Sequence, residues 1–139
     1  MSNVIITTNS AVWLKSSARY NKDYHTKVKD YLEQYPSIDN MEKKLFNKLR
    51  TYFDRAYNRE KYFLLTPEEF INLLSSSCNY CGNNAGMTID RTDSSLGYTV
   101  DNSKSCCNIC NSMKFVSVEF DFLQHIKRIY EYQEQTKKV

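Results

Sequence analysis

The chain has 139 residues, 41% hydrophobic and 25% charged, enough apolar material for one packed domain, alone or with a helical extension. Three glycines and two prolines exclude collagen-like, linker-rich and low-complexity designs. The net charge of +3 is compatible with nucleic acid but too small to argue for it. The longest apolar run near the start, Val4-Ile5-Ile6, is far short of a signal-peptide core or a spanning helix, so an intracellular protein away from membranes is expected. In a reducing compartment, five cysteines, an odd number, point to metal ligation before a disulfide framework.

Residues 1–17 carry little pattern and read as a loose arm. From Ala18 to Tyr35 the apolar residues Tyr20, Tyr24, Val28, Tyr31, Leu32 and Tyr35 recur at three and four, one stripe of an amphipathic helix stopped by Pro36. Its tyrosines are either a stacking platform for bases or a face laid on the core, and the periodicity favours the core. A second helix is predicted from about Met41 to Phe63, with Asp39 and Glu42 as its capping pair and Leu45, Leu49, Tyr52, Phe53, Ala56 and Tyr57 facing inward. Lys44, Lys48, Arg55 and Arg59 form a stripe beside that face. Between Met41 and Lys61 seven Lys or Arg stand against three acids. A phosphate-tracking surface and an ordinary solvated face account for this equally well. Thr66-Pro67-Glu68-Glu69 starts a further helix, with Thr66 as N-cap, Pro67 in the first turn and Glu69 closing a capping box; Phe70, Leu73 and Leu74 supply its apolar face.

Chemistry concentrates between residues 78 and 115. Cys78-x-x-Cys81 and Cys107-x-x-Cys110 are two thiolate pairs, 25 residues apart, that present four sulfurs to one tetrahedral Zn²⁺. Two such pairs favour zinc over redox use of either one. Cys106 is the spare; its spacing points it from a strand into the core, with exchange for Cys107 left open. Between the pairs, Met87 to Asp90 reads as a short strand, Asp93 to Gly97 as a loop and Ser103 to Cys106 as a returning strand. The second pair then opens a helix carrying Asn111 and Lys114.

This order of features resembles the HNH endonucleases, the ββα-metal or His-Me finger family, and in particular its zinc-stapled phage and large-DNA-virus forms. The resemblance rests on Cys78-x-x-Cys81-Gly82, Asp90-Arg91, Gly97-Tyr98-Thr99, Asp101-Asn102, Cys107-x-x-Cys110-Asn111 and Met113-Lys114. It covers about residues 41–130. It implies metal-dependent cleavage or nicking of nucleic acid, DNA first, with catalytic residues Asp90, Arg91, Asn102 and Asn111. By position, Asp90 and Asn111 would hold Mg²⁺ or Mn²⁺, Asn102 would be the loop residue, and Zn²⁺ would be structural. Oxygen donors suit the hard cation and thiolates suit zinc. Arg91 stands where the family has its general-base histidine. Arginine keeps its proton at physiological pH, so it would contact phosphate and the base would come from elsewhere. His25 and His125 are the only histidines, each an ordinary helix residue by its setting.

Lys44, Lys48, Arg55, Arg59, Lys104 and Lys114 are the expected phosphate contacts. The final helix begins after Ser117 as N-cap, with Phe120, Leu123, Ile126, Ile129 and Tyr130 covering the zinc module. The fold expected is therefore α+β and mainly helical, a zinc-stabilised HNH-like ββα element flanked by helices. Its division is a 1–40 arm and amphipathic helix, then a 41–139 zinc domain. The rival reading is an HNH-derived module without catalysis, binding nucleic acid or serving as a structural piece with protein assembly partners. The location expected is the cytoplasm or nucleus of a host cell if the source is viral or phage.

Overall fold

Two cores divide the chain, one in a unit that ends at Ile71 and one in a unit that begins at Asn72. The computed structural model describes residues 7–84 and 86–137. The division falls about thirty residues beyond the boundary near 40 that the sequence suggested. The reason is that the basic helix shares its core with what precedes it.

The first unit is helical: α1 Asn9–Ser17, α2 Lys22–Gln34, a 3-10 turn Pro36–Asn40, α3 Lys43–Asn58 and the start of α4 Pro67–Ser75. The expected loose arm is in fact α1; its first six residues lie outside the described residues. Thr8 caps α1 by accepting from the Ala11 amide at 3.1 Å. Trp13 is 0% exposed, with ring centroids 6.1 Å from Tyr31, 5.9 Å from Phe46 and 4.9 Å from Phe53, all edge-on. Its indole N–H donates to the Tyr24 hydroxyl at 3.1 Å, and that hydroxyl donates to Asp54. One large anchor in nine residues makes no periodic stripe, which is why the sequence looked featureless here.

Helix α2 starts at Lys22 because Asn21 caps it, its Oδ1 accepting from the Tyr24 amide at 2.8 Å. Tyr24, Val28, Tyr31 and Leu32 are buried, so this stripe is a core face, while Tyr20 lies exposed before the helix. The capping pair expected for α3 does not form. Glu42 is the N-cap without a side-chain bond, and Asp39 instead accepts from the Ser10 amide at 2.7 Å and from its hydroxyl. Phe46, Leu49, Tyr52, Phe53 and Ala56 are the buried face of α3.

The helix stops at Asn58, short of Phe63, in a Schellman turn. The Glu60 amide bonds the Tyr57 carbonyl at 3.0 Å and the Lys61 amide bonds the Ala56 carbonyl at 2.8 Å. Glu60 takes the left-handed position at φ 56°, normally a glycine's. At α4 the capping box closes as expected: Glu69 N–H donates to Thr66 Oγ1 at 3.1 Å and Thr66 N–H to Glu69 Oε1 at 3.0 Å.

The second unit contains β1 Gly86–Arg91, β2 Ser103–Cys107, α5 Asn108–Lys114 and α6 Glu119–Thr136. The strands pair antiparallel, Thr88 opposite Cys106, Asp90 opposite Lys104 and Arg91 opposite Ser103, with a bulge between Gly86 and Thr88. The protein is thus α+β and mainly helical with a two-stranded sheet, and β1, β2 and α5 follow one another in the expected order.

Helix α6 departs from expectation. Its N-cap is Val118 without a side-chain bond, not Ser117. Only Phe122 is buried, edge-on to Tyr80 at 5.5 Å, while Phe120, Leu123, Ile129 and Tyr130 are exposed. The helix is phased so that Glu119 and Phe122 face the sheet side and most of its apolar stripe faces out. Among the described residues no helix is long and apolar enough to cross a membrane.

Candidate metal centre

Cys78 and Cys81 flank a tight turn, closed by Gly82 N–H to the Cys78 carbonyl at 2.9 Å, with Gly82 at φ 74°. Only glycine adopts that angle without strain. Cys107 ends β2 and caps α5, its sulfur accepting from the Cys110 amide at 3.3 Å; the Tyr80 amide approaches Cys78 Sγ in the same way at 3.4 Å. The four sulfurs of Cys78, Cys81, Cys107 and Cys110 all lie within 4.8 Å of one another. Those of Cys81 and Cys107 are 3.8 Å apart, too far for a disulfide. A tetrahedron with zinc–sulfur bonds of about 2.3 Å has edges of about 3.8 Å. The residues present therefore fit a metal ion such as zinc.

Crowding also perturbs the thiols, in opposite directions. Burial opposes ionisation of Cys78, but the amides of Cys81, Cys107 and Tyr80 outweigh it and bring its thiol down to about 6. Burial and then the neighbouring sulfurs of Cys107, Cys81 and Cys78 push Cys110 well up. Four adjacent sulfurs ionise together only around a cation. Cys106 is fully buried in β2, and burial followed by the nearby Cys78 and Asp90 charges pushes its thiol up to about 12. It is the spare, facing the core as its strand position suggested.

The polar residues singled out by sequence fall into two groups. Asp90 and Asn111 lie where β1 meets α5. Asn111 donates to Thr88 Oγ1 at 3.2 Å, and Thr88 is one strand repeat from Asp90, on the same face. Asp90 is 4% exposed; Tyr80 donates to its Oδ2 at 2.7 Å and the Lys114 ammonium sits 3.3 Å from its Oδ1. Arg91 and Asn102 serve the loop instead. Arg91 donates to the carbonyls of Ser94 at 2.9 Å and Leu96 at 2.7 Å and stacks its guanidinium 5.3 Å from the Tyr98 ring centre. Asn102 donates to the carbonyls of Asp93 and Gly97 at 3.0 and 2.8 Å and accepts from the Asp93 amide at 2.8 Å.

The expected phosphate contacts also divide. Lys114 is 1% exposed and paired with Asp90, so it presents no charge to solvent. Lys104 is held by both carboxylate oxygens of Glu119 at 3.0 Å. Lys44, Arg55 and Arg59 are exposed on or just after α3 and Lys48 is half-buried, all in the first unit. His25 pairs with Ser17 Oγ at 2.7 Å in that same unit, and His125 is exposed on α6. Sequence reasoning missed Tyr80 as the partner of Asp90. Its place in the turn between Cys78 and Cys81, outside any helix or strand, carries no periodic signal.

Over an aligned region of 71 residues, which covers 49% of this chain and 13% of the viral protein, the chain is 37% identical to an uncharacterized protein of Acanthamoeba polyphaga mimivirus. The chain thus matches only a small part of that relative's length. No family model matches the chain, and no solved structure does.

Proposed function

We propose that the second unit is a zinc-stapled, HNH-like module that acts on nucleic acid as a metal-dependent endonuclease, nicking or cleaving DNA. The observation that carries this reading is the placement of Asp90 and Asn111 on one β1–α5 face beside the four-sulfur site. A carboxylate and a primary amide oxygen are the hard donors that Mg²⁺ or Mn²⁺ takes. Bound there, such a cation would supply charge stabilisation to a scissile phosphate. The chain's own contribution is positional: the thiolate site fixes the start of α5, and α5 sets Asn111 against β1. Arg91, pinned by two loop carbonyls and by Tyr98, holds a permanent positive charge at the end of β1. The exposed Lys44, Arg55 and Arg59 are the candidates for salt-sensitive contacts to the phosphate backbone.

A second reading, a binding module without catalysis, is favoured by one observation. The Asp90 carboxylate is closed by Tyr80 and Lys114, so a cation must take the place of the Lys114 ammonium before Asp90 can serve as its ligand. Supercoiled plasmid incubated with the protein in Mg²⁺ or Mn²⁺ separates the two. The nuclease reading expects nicking by the wild type and its loss in Asn111→Ala with zinc content unchanged. Retarded plasmid mobility at low salt without nicking supports the second reading; neither binding nor nicking overturns both.

A further inference from the structure

A groove in the first unit lies outside everything assigned above. It is bounded by α2, the end of α3 and residues 60–64, and its volume of about 720 Å³ is in the range of ligand pockets. Tyr31, Tyr35, Phe53, Tyr57 and Phe63 make its walls aromatic. Its rim is acidic on balance, with Asp23, Asp30 and Glu60 against Lys27 and Lys61, although the whole chain is +3. Neither Asp30 nor Glu60 is ion-paired among the described residues.

The groove already displays the chemistry it offers. The Lys27 ammonium sits 5.2 Å from the centre of the Tyr57 ring, a cation held over an aromatic face. The ring is held in place by its hydroxyl, which donates to Asp23 Oδ2 at 3.0 Å and lies 3.2 Å from Asn21 Oδ1. Phosphate is repelled by the rim carboxylates, so the tyrosines here are a poor track for a nucleic-acid backbone. Aromatic walls under unpaired carboxylates instead complement an organic cation on an apolar stem.

We propose that this groove binds a basic segment of a partner protein, seating an arginine or lysine side chain on the tyrosine wall with its charge met by Asp30 and Glu60. The stem of such a side chain buries against the rings while its head stays near the wet rim. The inference stands apart from the nuclease reading, since no residue of the second unit enters it.

The test is titration of the isotopically labelled full chain, at low salt, with an acetylated and amidated Gly-Arg-Gly-Arg-Gly peptide, read by amide shifts. Saturable shifts confined to α2, the end of α3 and residues 60–64 are expected. The exposed double variant Asp30→Asn/Glu60→Gln, which leaves the core untouched, should weaken binding roughly threefold to tenfold, and Tyr57→Leu by a similar factor. The proposal is overturned by an absence of saturable shifts, by unchanged affinity in the double variant, or by equal affinity for the glutamate version of the peptide. Tighter binding of oligothymidylate at the same amides would also overturn it and make the groove a base-stacking platform.

Discussion

The two units solve the same problem, holding short elements together, with different means. Among the described residues, fifteen buried hydrophobics lie in the first unit and seven in the second, and three of those seven are cysteines. The first core is a lattice of rings around Trp13, in which each edge-on aromatic pair adds about 0.5–1.5 kcal/mol beyond the area it buries. The second has a cysteine cluster packed against Tyr80, besides the buried Leu74, Ile89, Tyr98 and Phe122, while most of the α6 stripe faces outward. A core that small offsets little of the entropy of ordering its chain, and a metal ion held by the four clustered cysteines would add to that offset. The first unit is thus held by aromatic packing, whereas the second gathers four cysteines that could add a metal ion to a smaller core.

The sharpest break of that contrast is metal removal. Structural zinc is worth about 10–16 kcal/mol of apparent folding free energy in small domains. Chelation, or Cys78→Ser, should therefore abolish amide protection in β1, β2 and α5 while Trp13 emission stays native-like. Cys106→Ala should keep full metal content, and loss of metal in that variant would show that Cys106 and not Cys107 is the ligand. Trp13→Ala is the mirror experiment, costing about 3–5 kcal/mol in the first unit and leaving the metal content unchanged. Melting followed at tryptophan-independent probes in each unit checks it.

The buried Asp90–Lys114 pair is the third lever. Lys114→Ala strands a buried carboxylate and should cost about 3–5 kcal/mol, whereas Asp90→Asn/Lys114→Met together should recover most of that. Denaturant titration of the second unit distinguishes the two. Smaller effects sharpen the first unit's side. Thr66→Ala opens the capping box and should cost about 1 kcal/mol. Glu60→Gly relieves a left-handed glutamate and should stabilise by about 0.5–1 kcal/mol.

Much of the fold was legible because it is written in short-range patterns. The Thr66–Glu69 box depends on residues three apart, and the Cys-x-x-Cys turns on residues of the same spacing. The strand–loop–strand–helix order between Gly86 and Lys114 follows from period and turn residues, and the buried face of α2 from its tyrosine spacing. What the sequence misjudged depended on partners far along the chain. Trp13 meets Phe46 and Phe53 more than thirty positions on, so α1 read as an arm. Asp39 caps nothing in α3 because Ser10, 29 positions earlier, claims it. Lys114 sits in a basic-looking motif, yet its ammonium is buried on Asp90, 24 positions away.

Local spacing was enough to pick out the four cysteines that come together and most of the helices and strands, since turn spacing, caps and periodicity act within a few residues of one another. Contacts made through space settle which polar groups remain free to act. Arg91, Asn102, Lys104 and Lys114 are all polar enough to meet a phosphate, and each has its side chain committed to the protein itself. They also settle that most of the apolar stripe of α6 turns outward and that aromatic rings and unpaired carboxylates meet in one groove. These outcomes turn on which surfaces come together through space, and burial is a property of that assembly rather than of any local run of residues.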